Sequence, residues 1–184
     1  NDESGVLDIS GSGEMDDYAI MYIPWHGIRS EIKTVNVENS VESICDYAFY
    51  NCPALTEINI SESVTTIGNL AFAQCYALES INVDSQNTSY FTDDSGVLFD
   101  KTKTTLIQYP AASSQTSYSI PDSVETICED AFRYAENLTD VVLSSALKTI
   151  GEEAFYGSSI NEIEIPANVT SIGKDAFGWC PSLK

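Results

Sequence analysis

The chain has 184 residues, 43% of them hydrophobic, and carries 28 Asp and Glu against 8 Lys and Arg, a formal charge of −20 at pH 7. That balance excludes nucleic acid as a partner, because binding it needs clustered Lys and Arg to displace counterions, and it repels anionic membrane surfaces. No run of 18 apolar residues occurs, so no membrane insertion is expected.

From residue 32 the chain repeats itself about every 23 residues. The last apolar residue of each expected strand falls at Val37, Ile60, Val83, Ile120, Leu143 and Ile165, with differences of 23, 23, 37, 23 and 22. One coil therefore carries about 14 extra residues. A unit this short cannot bury its apolar face alone, so neighbouring coils must stack into a solenoid. Leu55-x-x-Ile58-x-Ile60 has the shape of a leucine-rich-repeat strand, in which residues alternate between core and exposed face. Because every coil travels the same way round, the spacing predicts one parallel sheet through residues 35–37, 58–60, 81–83, 118–120, 141–143 and 163–165.

The return side carries Val41, Val64, Val124, Leu147 and Val169, and three residues later Ile44, Ile67, Ile127, Ile150 and Ile172. An Ala-Phe pair follows in each case, at Ala48-Phe49, Ala71-Phe72, Ala131-Phe132, Ala154-Phe155 and Ala176-Phe177. The stretch from Ile67 to Leu78 is too short for a standard helix with two turns, so a single helical or 3₁₀ turn is expected there. Phe should fill the core, and Ala should let adjacent turns approach. In the long coil, Val97-Leu-Phe99 and Leu106-Ile-Gln-Tyr109 are strand-like and flank a polar turn. They predict a protruding β-hairpin over residues 85–117 in place of the Ala-Phe turn.

Chemistry-bearing residues are scarce. The single histidine, His26, lies beside Pro24-Trp25 and outside the repeats, which rules out multi-His zinc sites. Asp93-Asp94-Ser95-Gly96 lacks the alternating oxygen ligands and distal Glu of an EF-hand loop and reads as a hairpin turn. No phosphate-binding glycine loop is present. Five cysteines occupy positions filled elsewhere by Gly, Ala or Ser and are expected as free thiols, with Cys52 and Cys75 one coil apart. The sequence thus points to no catalytic residue, no metal ligand and no cofactor, and to a protein that is not an enzyme.

The register allows the exposed strand positions to be read off. Thr34, Glu57, Ser80, Ser117, Asp140 and Glu162 form one column, and Asn36, Asn59, Asn82, Ser119, Val142 and Glu164 form the next. Stacking would align Asn36, Asn59 and Asn82 for side-chain amide bonds. Such a ladder stabilises the sheet in one reading. In the other, Asn36, Glu57, Asn59, Asn82, Asp140, Glu162 and Glu164 are the candidate recognition surface.

The run Ile165-Pro-Ala-Asn-Val169-Thr-Ser-Ile172-Gly-Lys-Asp-Ala176-Phe177-Gly-Trp-Cys180-Pro-Ser-Leu183 resembles the repeat of the BspA-like leucine-rich-repeat family of bacterial surface proteins. The resemblance covers residues 32–184, the solenoid, with the hairpin of the long coil resembling an insertion seen in the family. Gly5-Val-Leu-Asp-Ile-Ser-Gly-Ser-Gly13 and Pro24-Trp25 resemble the amino-terminal segment preceding such repeats, so residues 1–31 are assigned to it. Cys45 and Cys128 depart from the pattern, standing where Gly68, Gly151 and Gly173 stand in other coils, so no left-handed backbone is obligatory there. The resemblance implies an α/β superhelix serving as an extracellular or cell-surface module that binds a protein or glycan. The alternative is a spacer presenting neighbouring modules. The last repeat stops at Leu183-Lys184 before its strand, so a longer natural chain is expected, with end-to-end association open to the uncovered edge.

Overall fold

Short β-branched runs separated by tight turns cannot satisfy their backbone within one coil, so each N–H and C=O must look to the coil beside it. The computed structural model describes residues 4–184, and the first three residues of the amino-terminal segment lie outside it. It is a parallel-strand β-solenoid of about six turns with almost no helix. In chain order, β1 (Val6–Ile9), β2 (Thr34–Val37) and β3 (Ser43–Ile44) are followed by β4 (Glu57–Ile60), β5 (Thr66–Ile67) and β6 (Ser80–Val83). β1, β2, β4 and β6 form a parallel sheet in the register Val6–Thr34–Glu57–Ser80. Val35, Ile58 and Ile81 point inward at 0% exposure, and Asn36, Asn59 and Asn82, next to them along the strands, lie on the outer face, half-buried or exposed. β3 and β5 make a second parallel ladder on the return side. The amino-terminal segment thus supplies the first strand of the sheet.

The long coil departs from expectation. β7 (Tyr90–Thr92), β8 (Leu98–Asp100) and β9 (Thr105–Gln108) form an antiparallel meander, with Asp93-Asp94-Ser95-Gly96 as the turn between the first two. It does not protrude. Val97, Leu98, Phe99 and Leu106 are all 0% exposed, because an apolar strand of this kind is more stable inside the stack than in water. The later strands are β10 (Ser117–Ser119), β11 (Thr126–Ile127), β12 (Asp140–Val142), β13 (Thr149–Ile150) and β14 (Ser171–Ile172). β9 starts a second return-side ladder, separate from β3–β5, and runs parallel to β11, which continues through β13 to β14.

The predicted continuous sheet is therefore corrected to two. β10 pairs only with β12, and no pairing links β6 to β10 across the meander. Residues 163–165 form no strand. The ladder there is reduced to one bridge between Asp140 and Glu162, ahead of Pro166, which has no N–H to donate. The core divides at the same place. Leu98 packs into the cluster that runs from Ile32 to Ile81, whereas Val97 and Phe99 pack into the cluster that runs on to Ala176. Alternation along β8 sends neighbouring side chains to opposite sides and produces that division.

The expected helical or 3₁₀ turn at Ala-Phe is also corrected. Among the described residues the 3₁₀ segment is His26–Ile28, before the repeats. Each Ala-Phe pair instead lies between two residues of left-handed backbone: Tyr47 and Asn51, Leu70 and Gln74, Asp130 and Tyr134, Glu153 and Gly157, Asp175 and Trp179. Left-handed backbone costs a non-glycine residue roughly 1–2 kcal/mol. The return is a coil-to-coil ladder, in which Phe49 N donates to Ala71 O at 2.8 Å and Phe132 N to Ala154 O at 2.7 Å. A helical turn would close those bonds within one coil and leave its neighbour unpaired.

The phenylalanines stack along the same axis. Phe49 and Phe72 are 6.0 Å apart, Phe132 and Phe155 4.6 Å, and Phe155 and Phe177 5.4 Å between ring centroids. Each run has a stand-in at its start. Trp25 stacks on Phe49 at 5.6 Å and its Nε1 donates to Ala48 O at 2.7 Å. Tyr109 stacks on Phe132 at 5.0 Å and its N donates to Ala131 O at 2.8 Å.

Candidate functional site

On the strand face the predicted columns separate into two groups. Asn59 Nδ2 donates to Asn36 Oδ1 and Asn82 Nδ2 to Asn59 Oδ1, both at 2.9 Å, while Glu57 Oε1 accepts from Asn82 at 2.9 Å. Asp8, absent from the predicted set, ends the ladder by accepting from Asn36 Nδ2 at 2.7 Å. Asp140, Glu162 and Glu164 lie together around a shallow depression of about 380 Å³ with Val141, Val142 and Ile163. The break between β6 and β10 keeps the amide group and the acidic group from forming one continuous sheet.

The larger feature is on the turn side. A cleft of about 880 Å³ is lined by residues flanking four Ala-Phe pairs and by the loop from Asp17 to Ile20. Its position follows from the meander. The long coil has Tyr109-Pro110-Ala111-Ala112 where an Ala-Phe turn would stand, and this stretch runs from Ala131 straight to Leu78, to whose O the Ala112 N donates at 2.8 Å. No residue between Gln74 and Glu129 lines the cleft. One missing turn thus opens a gap between the second and fourth coils, beside which Tyr76 and Tyr134 meet edge to face at 4.8 Å.

One wall holds Arg133. Its Nη1 lies 3.1 Å from Asp130 Oδ1 and contacts the Glu153 carboxylate, and its guanidinium stands 4.4 Å from the centre of the Tyr156 ring. Burial pushes the Asp130 carboxyl up despite Arg133 beside it. Burial also acts to lower Arg133, but Asp130 and Tyr76 outweigh it and hold the guanidinium above its ordinary value. The other wall presents Asp17, Asp46, Tyr47 and Tyr50, with the two tyrosine rings 5.8 Å apart and edge to face. Burial, with Asp130 nearby, pushes the Tyr50 phenol up. Exposed Glu129 and Glu152 complete the acidic lining.

This cleft was absent from the predicted site. Its signal lay in the frame, as the acids before Ala-Phe at Asp46, Glu129-Asp130 and Glu152-Glu153, and the tyrosines at 47 and 50. Among the described residues, no group of three or more His, Cys, Asp or Glu is placed to hold a metal ion. His26 Nε2 lies 3.1 Å from Arg29 Nη1, and neither residue lines the cleft. All five cysteines are free. Cys75 Sγ donates to Phe49 O at 3.0 Å, and burial pushes its thiol well up.

Stacked parallel strands, a repeated Ala-Phe turn and a phenylalanine spine define a leucine-rich-repeat solenoid. The chain belongs to the BspA type leucine rich repeat family, whose pattern matches in six copies over residues 28–111 and 108–184. Among solved structures it is similar to a leucine-rich repeat protein of Eubacterium ventriosum, with 30% identity over 99% of this chain and 67% of the other, and a TM-score of 0.58. A leucine rich cell surface protein of Faecalibacterium prausnitzii shares 28% identity over 86% of this chain and 48% of that one, with a TM-score of 0.70. The pneumococcal vaccine antigen PcpA shares 26% identity over 84% and 50%, with a TM-score of 0.65. The chain thus spans about half the length of the latter two. No curated protein matches it. No helix among the described residues is long and apolar enough to cross a membrane.

Proposed function

We propose that this chain is a non-catalytic binding module of a secreted or surface-displayed bacterial protein, with a protein or glycan as its ligand. The observation that carries this reading is the turn-side cleft. It is concave, large enough for a peptide or oligosaccharide segment, and lined by tyrosines and carboxylates on rigid coils. The description of one relative as a cell surface protein supports the location. Asn36, Glu57, Asn59, Asn82, Asp140, Glu162 and Glu164 on the strand face serve as secondary contacts in the same proposal.

The test is binding of the labelled chain to arrayed glycans and arrayed extracellular proteins, beside the double variant Tyr47→Asn/Tyr50→Ala. Asn is chosen at 47 because that residue has φ 57, which Asn tolerates. A ligand held by the native chain and released by the variant supports the reading. Silent arrays, together with full function of a longer protein in which another solenoid of equal length replaces this one, would establish a spacer instead.

A further inference from the structure

We propose that the turn-side cleft takes an arginine-bearing peptide segment, an inference that rests on the binding-module reading and names its ligand class. The lining contains six carboxylates, from Asp17, Asp46, Glu129, Asp130, Glu152 and Glu153, and one basic side chain, Arg133. In a cleft with low-dielectric walls such charges add into a field that draws cations and repels phosphate, sulfate and uronate groups.

The structure also shows what geometry this chemistry accepts. Arg133 is seated between Asp130 and Glu153 with its guanidinium over Tyr156, so the chain already binds one guanidinium by carboxylates on its edge and a ring on its face. The opposite wall offers the same elements: Asp17 and Asp46 as carboxylates, Tyr47 and Tyr50 as rings, with Arg29 near Tyr50 but outside the lining. Arginine suits that wall better than lysine, because a planar guanidinium can stack on a tyrosine while its edge pairs with a carboxylate. A volume of about 880 Å³ exceeds one side chain and accommodates a short stretch of backbone. A metal ion fits less well, since no three potential ligands converge among the described residues.

The experiment is fluorescence anisotropy with a labelled heptapeptide of alternating Gly and Arg, its Lys counterpart and its neutral citrulline counterpart. The native chain is expected to bind the Arg peptide about tenfold more tightly than the Lys peptide, to ignore the citrulline peptide, and to weaken as salt is raised. Glu129→Gln/Glu152→Gln and Tyr47→Asn/Tyr50→Ala should each weaken the Arg peptide by about tenfold. Glu62→Gln/Glu79→Gln, which removes two exposed acids outside the cleft lining, should leave binding unchanged. Melting curves establish that each variant is folded. Equal loss in both acid-to-amide variants, or equal binding of the citrulline peptide, overturns the inference. A neutral glycan bound through Tyr47 and Tyr50 while the Arg peptide is ignored also overturns it and leaves the binding module standing. No binding of the Arg peptide, together with silent glycan and protein arrays and full function of the longer protein with a replaced solenoid, removes both.

Discussion

At Gly151 an added Cβ would sit 2.4 Å from the Glu129 backbone N and 2.6 Å from the Cys128 carbonyl carbon, and Gly68 and Gly173 are equally crowded by the coil before them. Their φ values are not positive, so these glycines are needed for close approach and not for a left-handed turn. Cys45 and Cys128 occupy the same column at the start of each stack, where no preceding Ala-Phe coil presses on them. Gly151→Ala should therefore cost at least about 2 kcal/mol in denaturant titration, while Cys128→Ala should cost no more than about 1 kcal/mol. Equal costs would remove this account. Tyr118, 7% exposed, donates from its OH to Asp93 Oδ2 at 2.6 Å, and burial followed by Asp93 raises its phenol far above the ordinary value. A folded pKa above the unfolded one means its stabilisation is complete below about pH 10 and is lost as pH rises beyond that. The melting temperature should fall steeply above pH 10, and Tyr118→Phe should make the fall shallower while lowering stability at pH 7. An unchanged slope would assign the alkaline loss to other groups.

The Ala-Phe column was legible in the sequence because five pairs share one frame, and the burial of Phe49, Phe132 and Phe155 at 0% exposure agrees with it. The conformation of that segment was not legible. Local propensity favours a short helical turn, and the choice of left-handed residues depends on bonds to the next coil, as between Tyr47 N and Asn69 O or Asp130 N and Glu152 O. The energetic weight of the two ladders should differ. Phe132→Ala removes a ring lying between Tyr109 and Phe155 and should cost about 3–5 kcal/mol. Asn59→Ala breaks two amide bonds on a wetter face and should cost about 1 kcal/mol. If Asn59→Ala matched Phe132→Ala in urea titration, the strand-face ladder rather than the spine would be holding the coils in register.

Across the molecule, the meander replaces one repeat and divides both the sheet and the core. Repeat proteins gain stability mainly from nearest-neighbour interfaces, so a division of this kind should weaken the coupling between the two ends. Phe72→Ala is expected to raise amide exchange across residues 35–83 and leave residues 120–150 protected, with the mirror result for Phe155→Ala. Uniform acceleration in both halves from either variant would show that β7–β9 transmits as well as an ordinary coil. The same replacement explains the cleft, because the coil that lacks an Ala-Phe turn leaves the turns on either side facing each other across a gap.

The sequence by itself determined the solenoid, the strand register within each stack and the outward columns, since these follow from spacing alone: a 23-residue period aligns like positions whatever their conformation. The alignment of Asn36, Asn59 and Asn82 is of this kind. The tertiary structure alone decided the left-handed turns, the burial of the meander, the loss of strand at 163–165 and the meeting of Asp46 and Tyr50 with Glu129 and Arg133. Each depends on which coil lies beside which, and on whether a neighbour is present at all. A repeat fixes the distance between equivalent residues, but only the folded stack fixes what fills, or fails to fill, the space where the repeat is broken.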